Sequence, residues 1–109
     1  MSLDVWLHDK SNTEFCVWGA NITHNVNDMA AIVGAYHYLW RPENVGVVKA
    51  ADNIENLRRS LGMMYLNYER MKAMNPENGW GDIDGLINFT KSYLDACIEY
   101  PDAIIEVSR

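Results

Sequence analysis

The sequence predicts an α+β domain of order β-β-α-α-α-β, with a small three-stranded sheet (hairpin plus C-terminal strand) packed against three helices. Three observations lead there. Two β-rich runs near the start flank a turn-like Asp9-Lys10-Ser11-Asn12. Three longer stretches repeat apolar residues at spacings of three and four. A last β-branched run follows Pro101. At 109 residues there is room for one core, so residues 1–109 are read as a single domain.

Each element has its own warrant. Residues 3–8 alternate weakly and residues 13–18 are rich in β-branched and aromatic side chains, which makes a hairpin. Gly19 and Ala20 loosen the chain after it. A helix over 27–40 carries the stripe Met29, Ile32, Val33, Tyr36, Leu39 and Trp40, with Thr23 or Asn25 as N-cap and Arg41-Pro42 as stop. Residues 45–48 are read as irregular or a short turn. A long helix over 49–74 has the heptad-like seam Ile54, Leu57, Leu61, Met64, Tyr68 and Met71. Gly62 inside it costs about 1 kcal/mol against Ala, which points to a close packing contact. The helix over 83–100 has the widest apolar face, so it should be central, and Asp82 is its N-cap. Residues 103–108 make the last strand, which joins the hairpin.

Composition narrows the function classes. Hydrophobic residues are 49% and charged ones 22%, which is ordinary globular usage and not disorder. A formal net charge of -6 argues against direct nucleic-acid binding, which needs cations facing phosphates. The cations Arg58, Arg59, Arg70 and Lys72 gather in one helix, whereas the stretch after Met74 is acidic. Cys16 and Cys97 lack metal-type spacing and are read as small apolar side chains in a reducing compartment. No signal peptide or long apolar run is visible, so a soluble, cytoplasmic protein off the membrane is expected.

Polar groups collect at three element ends: Thr23-His24-Asn25, Trp40-Arg41-Pro42-Glu43, and the loop Asn75-Pro76-Glu77-Asn78-Gly79-Trp80-Gly81-Asp82. The first and third precede helices, where free N–H groups favour an anion or polar ligand. If both helix starts share one sheet edge, His24, Asn25, Asn78, Trp80 and Asp82 converge into a ligand site. The bland alternative is that these residues cap helices while Trp80 plugs the core. A metal site would draw on His24, Asp28, His37 and Asp82, but no ligand-type spacing supports it. No metal or cofactor is therefore expected. Neither cysteine has a visible base partner and no serine sits in a glycine elbow, so no catalytic residue is assigned.

The segments Asn21-Ile22-Thr23-His24-Asn25, Asn75 to Asp82 as quoted, and Ala96-Cys97, Pro101-Asp102-Ala103 and Val107-Ser108-Arg109 resemble a family of small uncharacterised bacterial and phage proteins. The resemblance runs from the second strand to the C-terminus, leaving out residues 36–74. It implies a bacterial or phage origin and an intracellular setting, and brings no activity with it.

The expected function is a non-enzymatic protein-interaction or self-associating domain, with a protein partner or a homodimer. An exposed apolar patch near Trp6, Trp18 or Trp40 would serve it. The alternative is a small-molecule-binding domain or enzyme with its polar site around His24 and Trp80. A nucleic-acid mimic fits the acidity, but the acids are spread over every element.

Overall fold

The structure, a computed structural model, describes residues 2–79 and 81–109. Three antiparallel strands, β1 (Ser2–His8), β2 (Cys16–Thr23) and β3 (Ile104–Ser108), lie in the order β2-β1-β3. The alternation along β1 sets the faces. Leu3, Val5 and Leu7 are wholly buried, and their partners Ile22, Ala20 and Trp18 on β2 share that face. Val17 is an extra residue between the Leu7–Trp18 and His8–Cys16 pairs, a β-bulge. On the other face Trp6 lies over Gly19, where a Cβ would come 2.9 Å from its Cδ1. Gly19 and Ala20 therefore belong to the strand, which runs on to Thr23 where a loosening was expected.

Beneath the buried face runs α5 (Ile83–Glu99), central as its apolar width predicts, with Leu86, Tyr93 and Cys97 fully buried. Trp18 stacks on Tyr93 at 5.5 Å between ring centroids. Packed on α5 is α3 (Ile54–Leu66), whose seam residues Leu57 and Met64 are solvent-free, as is Met71 of α4 (Tyr68–Lys72). The heptad-like seam is thus intramolecular core.

The middle of the chain is more broken than its periodicity predicts. The helix expected over 27–40 is two, α1 (Asn27–Ile32) and α2 (Tyr36–Trp40). Gly34 stands between them at φ +74°, with Gly34 N–H donating to the Ala31 carbonyl and Ala35 N–H to that of Ala30. That is a Schellman ending, and it beats a continuous stripe because glycine takes the left-handed turn without strain. The helix expected over 49–74 begins as a 3-10 turn at Ala50–Asn53 and breaks at Asn67. The Asn67 side-chain amide donates to the Met63 carbonyl at 2.8 Å, a local bond that competes with the helix ladder. Gly62 is not a close-packing position: nothing lies within 4 Å of where its Cβ would be.

One buried polar network ties the layers together. Asn53, fully buried, donates through Nδ2 to the Tyr38 carbonyl (3.1 Å) and to Tyr93 Oη (3.3 Å), and its Oδ1 accepts from Asn56. Burial raises the Tyr93 phenol above its ordinary value, and it pushes the Cys97 thiol up to about 12 from 9.0. Cys16, by contrast, is exposed, so only Cys97 behaves as an apolar core side chain.

These thiols give a prediction. Below pH 9.0 the Cys97 thiol is protonated in both folded and unfolded chains, so its contribution to stability is complete. Between 9.0 and about 12 only the unfolded chain loses the proton, and stability falls as pH rises through that window. The decline should be shallower in Cys97→Ala, measured by urea unfolding across alkaline pH. A disulfide-exchange reagent near neutral pH should modify Cys16 at once and Cys97 only with unfolding. Equal rates at both would contradict the burial difference.

Candidate functional site

At one end of the sheet, β2 finishes at Thr23, opposite Ser2 of β1, and β3 finishes at Ser108, opposite Asp4. This is where the polar segments meet. Thr23 Oγ1 accepts from the Asn25 amide at 3.3 Å and so opens the 3-10 turn His24–Val26. Thr23 is the cap there, and Asn25 lies inside the turn, so the Asn25 alternative does not hold.

Trp40, 1% exposed, reaches back from the end of α2, its Nε1–H donating to His24 Nδ1 at 2.8 Å. An indole nitrogen can only donate, so His24 Nδ1 must accept and the neutral ring carries its proton on Nε2. Tyr36, one turn before, stacks on Trp40 with planes 8° apart and accepts at Oη from Arg41 Nε. Arg109 completes the corner, donating to the Trp40 carbonyl (2.8 Å) and pairing with Glu43 (2.7 Å).

The glycine loop arrives from the other side. Asn75 Oδ1 accepts from the Ile83 amide (2.9 Å) and Asp82 Oδ1 from the Gly85 amide (2.7 Å), so two side chains satisfy the start of α5. Gly81, at φ +89°, fits directly against the first segment: a Cβ there would come 2.5 Å from Thr23 Cγ2 and 3.0 Å from Val26 Cγ1.

The structure therefore sets the glycine loop beside the Thr23-His24-Asn25 turn, and the Trp40-to-Glu43 segment beside both His24 and Arg109. Of the five candidate residues, His24 is bonded to Trp40 and Asp82 is spent on capping. Asn25 and Asn78 are exposed and engaged in interactions of their own. Trp80 lies outside the described residues. Sequence reasoning missed Tyr36 and Arg109. The four-residue spacing of Tyr36 and Trp40 on a helix was a usable signal for the first. Nothing near Arg109 in the sequence signals its partners.

The metal alternative gains no support: among the described residues no three His, Cys, Asp or Glu side chains come together as ligands. Two clefts lie away from this corner. One of about 540 Å³, at the opposite end of the sheet, is lined by Asp9, Lys10 and Ser11 on one side and Tyr100 to Ala103 on the other. The Ser11 hydroxyl and amide hold the Asp9 carboxyl below its ordinary value there. The second, about 310 Å³, runs between Trp18 and the exposed side of α5. Chemically the corner is a clasp, held by the Trp40–His24, Arg41–Tyr36, Arg109–Trp40 and Arg109–Glu43 contacts within the chain.

Comparison with known proteins matches the chain to no family model, no curated protein and no solved structure.

Proposed function

We propose that this chain is a non-enzymatic interaction domain, which works by contact with a protein partner or with a second copy of itself. The observation that carries this reading is the outer side of the α3–α4 arm. Leu66 is 82% exposed and Tyr65 56%, with Met63 a turn before. Scattered apolar residues on a surface are ordinary, but Met63 and Leu66, three apart, share one helix face and leave it apolar, with Tyr65 exposed on an adjoining one. Arg59 and Arg70 flank it, and neither has an ion-pair partner among the described residues. An apolar centre with a basic rim suits a partner that is apolar and acidic. The patch sits here because Trp40 is buried, Trp18 is stacked on Tyr93 and Trp6 lies over Gly19. None of these three described tryptophans forms it.

An intracellular setting and a bacterial or phage origin belong to the same reading. Two free cysteines, one of them exposed, support a reducing compartment. Among the described residues no helix is long and apolar enough to cross a membrane.

The test is Leu66→Glu. Its side chain is exposed, so stability should change by no more than about 0.5 kcal/mol. A protein that co-purifies stoichiometrically with the wild type from expressing cells should be lost from the variant. Identical partners for both would remove the α3–α4 patch from the reading.

A small-molecule site at the clasp is the second reading, favoured by the approach of Gly81 to Thr23. NMR shift mapping with a fragment set tests it. Shifts clustered on His24 and Asp82 would support it, and no shifts there would end it.

A further inference from the structure

In a three-stranded sheet two edges need covering, and here only one is covered. The outer edge of β3 is occupied: Ile105 N–H donates to the Val48 carbonyl at 3.0 Å, and Lys49 bridges to Ile104. The outer edge of β2 is open. Among the described residues no backbone other than that of β1 bonds to Cys16–Thr23. Exposed edges are normally guarded by lysine, proline, another charge or a bulge, and β2 has a bulge at Val17 but no charge beyond it. The sequence CVWGANIT holds no lysine, proline or other charge over its eight residues, in a chain of net charge -6.

The helix beneath the strand bears on what covers it. Trp18, near the start of β2, stacks on Tyr93, so that end of the strand lies above the middle of α5. The side of α5 next to the open edge presents Lys91, Asp95 and Glu99 along the cleft beside Trp18. None of these charges has an ion-pair partner within the chain among the described residues.

We propose that β2 pairs antiparallel with β2 of a second copy about a two-fold axis perpendicular to the sheet, giving one continuous six-stranded sheet. Such an axis keeps the helices of both copies on one side and runs the two α5 helices antiparallel. The axis in this pairing is centred on Trp18, which lies over Tyr93, so that Lys91 of each copy faces Asp95 of the other. The uncharged strands bring no like charges together at the seam, whereas the helix pair is self-complementary. This rests on the self-association half of the reading above and uses a different face from Leu66.

Charge exchange on the intact chain tests it, read by light scattering with size exclusion up to high concentration. The wild type should show a species of twice 12.5 kDa. Lys91→Asp or Asp95→Lys alone should weaken association about tenfold, since two symmetry-related pairs turn repulsive. The double exchange Lys91→Asp/Asp95→Lys should restore it. β2 amide exchange should also slow as concentration rises. A strict monomer at every concentration would overturn both this pairing and self-association itself. A dimer indifferent to the single exchanges, or not restored by the double one, would overturn the edge pairing and leave self-association standing.

Discussion

Gly81→Ala is expected to destabilise the fold by about 3 kcal/mol, because two penalties fall on one position. Its φ of +89° lies in the left-handed region, which costs a residue with a Cβ about 1–2 kcal/mol. The Cβ itself would stand 2.5 Å from Thr23 Cγ2 and 3.0 Å from Val26 Cγ1, so the capped turn and the loop would have to separate. Gly79 is the natural control. Its φ is +74° and nothing lies within 4 Å of its would-be Cβ, so Gly79→Ala carries the backbone penalty alone. Urea midpoints at unchanged m-value should place the two variants about 1–2 kcal/mol apart. Thr23→Ser removes the obstructing methyl and keeps the capping hydroxyl. In the Gly81→Ala background it should recover part of the loss, whereas alone it should cost little. Equal effects at Gly79 and Gly81 would mean that the loop does not press on the turn.

Trp40 is the second such position. It is 1% exposed, stacked on Tyr36, bonded through its indole to His24, and its carbonyl receives Arg109. Trp40→Ala should cost about 3–5 kcal/mol through the cavity it leaves. Trp40→Phe separates packing from hydrogen bonding. It keeps most of the ring and removes the one donor facing His24 Nδ1 among the described residues, at a cost of about 1–3 kcal/mol for a partly buried acceptor. Nitrogen shifts of His24 in the wild type should show the proton on Nε2, and in Trp40→Phe that preference should weaken. A proton on Nδ1 in the wild type would contradict the bond outright.

The sequence showed the sheet and the central helix because their signals are local. Leu3, Val5 and Leu7 alternate as a half-buried strand must, and the apolar face of α5 is wide enough to be unambiguous. Asp82 before Ile83 and Pro76 after Asn75 are short-range signals, and the ends they mark held to within a few residues. The broken helices were harder. Gly34 and Asn67 each sit inside a good 3.6-residue pattern, and a single residue's backbone preference or side-chain bond decided against it. Gly62 misled in the opposite sense, since a helical glycine marks close packing only where something approaches. The corner was half visible. Its residue types were plain at Thr23, His24 and Asp82, but its connections run through Trp40–His24 and Arg109–Glu43, pairs far apart in the chain. Spacing carries no information about such contacts; only the fold supplies them.

The placement of β1 between the other two strands has a kinetic consequence. His8 bonds to Glu106 across 98 positions, so the β1–β3 ladder closes the longest loop in the molecule. The β1–β2 hairpin and the packing of α3 on α5 involve shorter separations and can form while that loop is still open. Closing it late, after the rate-limiting step, leaves the β1–β3 contacts unformed in the folding transition state. Weakening β3, as Val107→Ala would, should then leave the folding rate nearly unchanged and speed unfolding. The lifetime of the folded molecule, more than the speed at which it forms, would depend on those five residues.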